Sequence, residues 1–291
     1  MQKPFLIDVT LRDGDQSPGV AFDAQDKTAI AQMLDRVGIY QIEAGIPAMG
    51  EIEQKAIREV AALDLSCKVS TWNRMMVGDI LSSIACGIQN LHLCVPVSDI
   101  HLSYKLGKSR SWILKKMEEC ISFARDAGCR VTVGTEDASR AEEGFLTEVM
   151  IAAHDLGADR LRYSDTVGVL NPFSTFEAIS RLREKVKAEI EFHGHNDFGM
   201  ATANALAAWA AGCSFINVTV CGLGERAGNT SLEEFIRALQ GLYGIDCSCD
   251  PQDLEKLTAY VSRAANRTSG NKLSPGSNNL SLLRSKERSV V

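Results

Sequence analysis

No stretch of this sequence reaches the roughly 18 to 20 consecutive apolar residues that a membrane-spanning helix needs. The N-terminus, Met1-Gln2-Lys3-Pro4, leads straight into a strand-like run without an apolar signal region or a small-residue cleavage site, so a cytoplasmic location is expected. Cys-x-x-Cys pairs are missing too. The nine cysteines are odd in number and scattered, which argues against a disulfide framework and for a reducing compartment. The closest pair, Cys247 and Cys249, reads as plain thiols rather than metal ligands. Excess positive charge is likewise lacking. At a net charge of -6, neither nucleic acid nor an anionic membrane surface is the expected partner.

What is present is enough to build one large core: 45% of residues are hydrophobic and 23% charged, a globular balance. The 291 residues allow one or two domains, and parallel α/β barrels run to about 250 residues as a single domain. Charge is unevenly spread. Residues 269–291 carry Lys272, Arg284, Lys286 and Arg288 against Glu287, a net +3, which leaves -9 on residues 1–268. Ser, Gly, Asn and Pro make up 12 of those 23 residues, without a hydrophobic period, so a flexible tail is expected at 269–291 and a folded domain over 1–268.

Short β-rich runs alternate with amphipathic stretches at roughly 30-residue spacing, the period of repeated βα units. Eight strands are predicted: Phe5 to Leu11, Tyr40 to Ile46, Cys67 to Trp72, Asn90 to Pro96, Arg130 to Glu136, Arg160 to Thr166, Glu189 to His195 and Phe215 to Cys221. Helical patterns between them include Asp23 to Val37, Ser111 to Ala127, Glu142 to Leu156, Pro172 to Lys187 and Met200 to Ala211. Gly38, Gly128, Gly157 and Gly212 mark helix ends. Eight parallel strands with right-handed crossovers close into a (β/α)8 TIM barrel, and a further helix at about Pro251 to Ala265 follows the last unit.

Alternation within the strands separates an apolar face from a polar one. In the first strand Ile7, Val9 and Leu11 oppose Asp8, Thr10 and Arg12; in the second Ile42, Ala44 and Ile46 oppose Gln41, Glu43 and Gly45. In the sixth Leu161 and Tyr163 oppose Arg162, Ser164 and Thr166; in the seventh Ile190 and Phe192 oppose Glu191, His193 and His195; in the eighth Ile216, Val218 and Val220 oppose Asn217 and Thr219. With the apolar set against the helices, the polar set points into the barrel. Buried polar groups without partners cost roughly 1 to 3 kcal/mol each, so either a hydrogen-bonded network around a ligand or a water-filled structural network is expected there.

His193-Gly194-His195 puts two imidazoles on one strand face, able to share a metal or to serve as ordinary strand histidines. Their place at the carboxyl end of a barrel strand is where this fold carries its chemistry. Asp13, in Thr10-Leu11-Arg12-Asp13-Gly14-Asp15-Gln16, is the natural third ligand from a neighbouring strand end, or else part of an acidic turn. The run Cys221-Gly222-Leu223-Gly224-Glu225-Arg226-Ala227-Gly228-Asn229 opens the Ser231 to Leu242 helix and is either a close-approach ligand loop or a simple turn.

These motifs together resemble the metal-dependent barrel family that contains isopropylmalate synthase, homocitrate synthase and hydroxymethylglutaryl-CoA lyase, the DRE-TIM metallolyases. The resemblance runs from about Phe5 to Arg267. Through Gly45-Ile46-Pro47-Ala48-Met49-Gly50, Ser70-Thr71-Trp72, Pro96-Val97-Ser98-Asp99-Ile100-His101-Leu102 and Glu136-Asp137-Ala138-Ser139-Arg140-Ala141 it is most similar to the homocitrate synthases of nitrogenase cofactor assembly. It implies an acyltransferase that joins acetyl-CoA to a 2-oxo acid, 2-oxoglutarate foremost, in a Claisen condensation. One divalent ion (Mg, Mn, Fe, Co or Zn) is implied on Asp13, His193, His195 and Asn229. Arg12 is implied to stabilise charge on the reacting oxygens with Glu43 as its carboxylate partner, and Gln16, His92 and Thr166 to line the substrate.

The partners are therefore small molecules, with a homodimer possible. Family synthases carry a C-terminal region that contributes a catalytic histidine, and this sequence has no histidine after His195, so the proton-transfer group is unassigned. A lyase running carbon-carbon cleavage, or a barrel that binds metal and 2-oxo acid without turnover, are the alternatives. The distal carboxylate of 2-oxoglutarate calls for a cation or strong donors, for which Arg74, Arg140 and Arg162 are candidates; Thr132 stands where lysine-pathway homocitrate synthases place an arginine, so their way of binding that carboxylate does not carry over.

Overall fold

In the computed structural model, which describes residues 2–247 and 249–265, eight parallel strands close on themselves in chain order. They are β1 (Phe5–Asp8), β2 (Gln41–Glu43), β3 (Lys68–Arg74), β4 (Asn90–Pro96), β5 (Arg130–Glu136), β6 (Arg160–Asp165), β7 (Ile190–Gly194) and β8 (Phe215–Val218). The helices are α1 (Ala24–Val37), α2 (Glu51–Ala61), α3 (Val77–Ala85), α4 (Arg110–Asp126), α5 (Glu143–Asp155), α6 (Pro172–Lys185), α7 (Ala201–Ala210) and α8 (Leu232–Tyr243), one after each strand, with α9 (Pro251–Ala264) beyond the eighth unit. The expected (β/α)8 barrel and closing helix are both present. The tail expected at 269–291 lies outside the described residues. Among the described residues no helix is long and apolar enough to cross a membrane.

Local chemistry accounts for the element ends. Asn171 accepts from Phe173 N and Ser174 N while Ser174 closes a reciprocal box and Pro172 presets the first turn, so α6 starts where Asn-Pro-x-Ser occurs. α1 begins on Asp23, whose carboxylate accepts from Asp26 N, and stops at Gly38 with φ 85°. On the outward face of the strands, aliphatic residues such as Ile42, Leu91, Val133, Leu161 and Ile190 are buried in one continuous core with the helices.

The first strand differs from its predicted orientation. Ile7 pairs with Gln41 of β2 and Asn217 of β8, both on the inward face, whereas Asp8 pairs with Ile42 and Val218 on the outward one. Ile7 and Val9, both fully buried, therefore lie inside the barrel with Phe215 and Tyr40. Asp8 lies on the helix side, accepting from Thr10 N and Thr10 Oγ1. The strand ends at Asp8, and Arg12, Asp13 and Gly14 all donate to the Val9 carbonyl in a tight turn, so strand alternation cannot be carried on to Arg12. Arg12 enters the interior from that turn instead.

The barrel interior is consequently layered. Phe5, Tyr40 and Phe215 pack with ring centroids 4.7 to 5.5 Å apart and plug the lower end. Above them lies a charged layer. Glu191 pairs with Arg160 at 2.5 Å and with Arg162, Arg162 reaches Glu43 at 2.8 Å, and Arg160 donates to Gln41. The uppermost layer, at the carboxyl ends of the strands, holds the candidate site.

Candidate metal centre

His193 and His195 come off β7 and its carboxyl end on one face, their Nε2 atoms 3.2 Å apart. Both face Asp13 Oδ2, at 3.5 and 3.7 Å. The three side chains are buried, and their ligand atoms lie within 4.8 Å of one another. Asn229 lies against Asp13 and pairs by backbone with His195. Its Nδ2 donates to Asp13 Oδ1 and to the Leu223 carbonyl, both at 2.9 Å, which fixes the amide orientation and leaves the buried Oδ1 without a hydrogen-bond partner. An amide oxygen, a carboxylate and two imidazoles fit a divalent metal. Gly224 makes this approach possible. Its φ is +155°, and a Cβ there would collide with Asn229 Nδ2 and come within 2.9 Å of Asp13 Oδ1.

The electrostatics suit the same purpose. Burial pushes the Asp13 carboxyl up, but Arg12 and the two imidazoles outweigh it and hold it ionised below the usual carboxylate range. Burial, with His195 next, pushes His193 well below the usual imidazole range, leaving the neutral ring that a metal requires.

Arg12 stands beside this centre, its Nη1 2.8 Å from Asp13 Oδ2 and its Nε 2.6 Å from Glu43 Oε1. Glu43 Oε2 accepts from Arg162 at 2.8 Å and meets His92 Nδ1 at 3.0 Å. Despite burial, Arg162, Arg12 and His92 hold Glu43 well below its ordinary range. Burial and then Arg162 lower His92 to about 4, so the neutral ring donates from Nδ1 to Glu43 and its buried Nε2 has no hydrogen-bond partner. Thr166 directly follows β6, and its hydroxyl accepts from Asp137 N at 2.8 Å. Gln16 lies exposed at the end of a short turn, Gly14–Gln16, next to the centre but outside its hydrogen-bond network.

Each arginine considered for a distal carboxylate is engaged. Arg74 is bidentate with Asp79 of α3, and Arg140 with Asp137. Arg162 is shared by Glu43 and Glu191 but keeps a buried Nη1 without a hydrogen-bond partner.

Two residues at the rim escaped sequence reasoning. Glu136, on the inward face two residues above Gly134, accepts from Lys105 at 2.7 Å and lies 3.5 Å from His101 Nδ1. Strand alternation could have found it. Arg226 binds Asp197 through two nitrogens and donates to the Thr166 carbonyl at 2.6 Å, joining three loops at the rim. Its φ of 55° and its long-range partners leave no local signal.

The HMGL-like family model matches residues 3–261. The chain is 47% identical over 263 residues to 2-isopropylmalate synthase 2 of Caldanaerobacter subterraneus subsp. tengcongensis, covering 90% of this chain and 68% of that one. It is 46% identical over 265 residues to homocitrate synthase 1 of Nostoc sp., covering 91% and 70%. To homocitrate synthase subunit alpha of Clostridium pasteurianum it is 44% identical over 239 residues, covering 82% and 89%. The fold superposes on the Bacillus subtilis HMG-CoA lyase with a TM-score of 0.82 at 20% identity, over 98% of this chain and 99% of that one. The chain belongs to the HMGL-like family and is an enzyme of its acyltransferase branch.

Proposed function

We propose that this chain condenses acetyl-CoA with 2-oxoglutarate, water cleaving the thioester, to give homocitrate and free CoA. The observation that carries the metal-dependent reading is the convergence of Asp13 Oδ2 and two facing imidazole nitrogens beside a buried arginine, with Asn229, whose Oδ1 is unpaired, bonded to Asp13 through its Nδ2. A divalent ion held by Asp13, His193, His195 and Asn229 supplies a Lewis acid for the carbonyl of a 2-oxo acid.

The chain's own residues do the rest. Arg12 stays charged between Glu43 and Asp13, and its guanidinium stabilises negative charge developing on the reacting oxygens. Glu43 is ionised and already accepts from Arg12, Arg162 and His92, so it holds Arg12 in place rather than removing a proton. To Thr166, directly after β6, and Gln16, in the turn after β1, this reading assigns the carboxylate of the 2-oxo acid. For the distal carboxylate the unpaired Nη1 of Arg162 is the available donor. A site with buried donors disfavours substrates whose tails are apolar, which supports 2-oxoglutarate over branched 2-oxo acids.

Release of CoA thiol from acetyl-CoA in the presence of a panel of 2-oxo acids tests this. Turnover with 2-oxoglutarate is expected; turnover confined to 2-oxo acids with apolar tails overturns the substrate assignment, and cleavage of a 3-hydroxyacyl-CoA overturns the reaction. A second reading, that the barrel is one subunit of a two-chain enzyme, is favoured by the Clostridium relative, named as an alpha subunit and covered over 89% of its length. It predicts binding of 2-oxoglutarate without thiol release.

A further inference from the structure

α9 stands outside the eight βα units, yet it is tied to the loop that carries Asn229. The tie runs through Glu233, a 1% exposed carboxylate in the first turn of α8. Its two oxygens accept from Cys221 N at 3.0 and 3.1 Å, from Ser231 Oγ at 2.9 Å and from Thr258 Oγ1 of α9 at 2.9 Å. The residue so gripped is strained. Cys221 has φ 59° and ψ 15°, followed by Gly222 at φ 62°, two successive left-handed residues of which the first carries a side chain. Cys221 Sγ also approaches the Thr258 carbonyl at 3.8 Å.

That turn presents the carbonyls which hold Asn229. Asn229 N donates to the Gly222 carbonyl at 3.1 Å, and Asn229 Nδ2 to the Leu223 carbonyl at 2.9 Å. α9 is itself anchored at the other side, by Tyr260 Oη on Asp26 of α1 at 3.0 Å and by the buried Leu257 and Val261. A continuous path therefore leads from a helix outside the barrel repeat to the backbone and side-chain amide of Asn229.

We infer that Glu233 and Thr258 are positioning residues for the metal centre: they hold the Cys221-Gly222 turn, and the turn sets where Asn229 presents its oxygen. This rests on the reading of Asn229 as a ligand.

Titration of the full chain with Co(II), followed by visible absorption and by competition with a chelating dye, tests it. Glu233→Gln replaces an acceptor oxygen by a donor and is expected to weaken Co(II) binding about tenfold, the scale seen when ligand-orienting groups are changed, and to alter the absorption bands. Thr258→Val should act in the same direction more weakly, and Thr258→Ser should restore wild-type behaviour. If Glu233→Gln does not fold, the two Thr258 variants decide. Lower melting temperatures with wild-type Co(II) affinity and bands would mean structural support only and overturn the inference. Asn229→Ala separates the two layers. If it weakens binding while the Glu233 and Thr258 variants do not, the clamp alone fails; if it changes nothing, the ligand assignment fails and the clamp with it.

Discussion

Gly134 shows how much one missing side chain decides. It faces inward on β5, and a Cβ there would collide with His92 Nε2 and lie 3.0 Å from His92 Cδ2. Gly134→Ala should therefore push the imidazole off Glu43, costing about 1–3 kcal/mol of stability by overpacking and loosening the grip on Arg12. Denaturant unfolding and CoA-release kinetics check it; a variant with wild-type values for both would show that the ring moves freely. At the centre itself, His195→Ala should strip the protein of bound metal by elemental analysis, and unchanged metal content would refute the site. The His-x-His pair and Asp13 were legible in the sequence because a two-residue period and a strand end suffice to place them. The Arg160–Glu191 and Arg162–Glu43 pairs were not, since their partners lie on other strands and only barrel closure brings them together.

The strands were legible as elements but not to their ends. β1, β2 and β8 each stop three residues short of their predicted limits, where the chain turns into the loop that follows. Orientation was legible wherever polar residues occupy the inward face, as in β2, β6 and β7. It failed in β1, where an apolar plug inside and a carboxyl outside invert the usual sign. That outward carboxyl gives β1 a pH signature. Burial raises Asp8 from 3.8 to about 7, and its hydrogen bonds to Thr10 only partly oppose this. Between about pH 4 and pH 7 the folded chain thus holds a proton the unfolded chain releases, so stability falls as pH rises through that window, by on the order of a few kcal/mol. Asp8→Asn, which keeps an acceptor for Thr10 N, should flatten the denaturation midpoint across that range; an unchanged slope would assign it to other groups. The charged layer behaves differently. Glu191 serves Arg160, Arg162 and Asn217 in a fully buried setting, and Glu191→Gln should cost roughly 3–5 kcal/mol because it leaves guanidinium charge uncompensated.

The candidate metal centre draws on the first and last units of the barrel at once. Asp13 follows β1, His193 and His195 belong to β7 and its end, and Asn229 follows β8, with 216 residues separating Asp13 from Asn229. An ion shared by these loops would bind the closed barrel and not the unfolded chain, and so would stabilise closure. At a free concentration of 100 times its dissociation constant the gain is about 2.7 kcal/mol. Thermal unfolding of the full chain should therefore shift upward by several degrees on adding Co(II) or Mn(II), and a chelator should reverse the shift. His195→Ala should melt at one temperature with and without the ion. A wild-type melting temperature indifferent to both metal and chelator would mean that the four side chains close the barrel through Asp13 alone, by its contacts to Arg12 and Asn229, and that the function proposed for the centre must be abandoned.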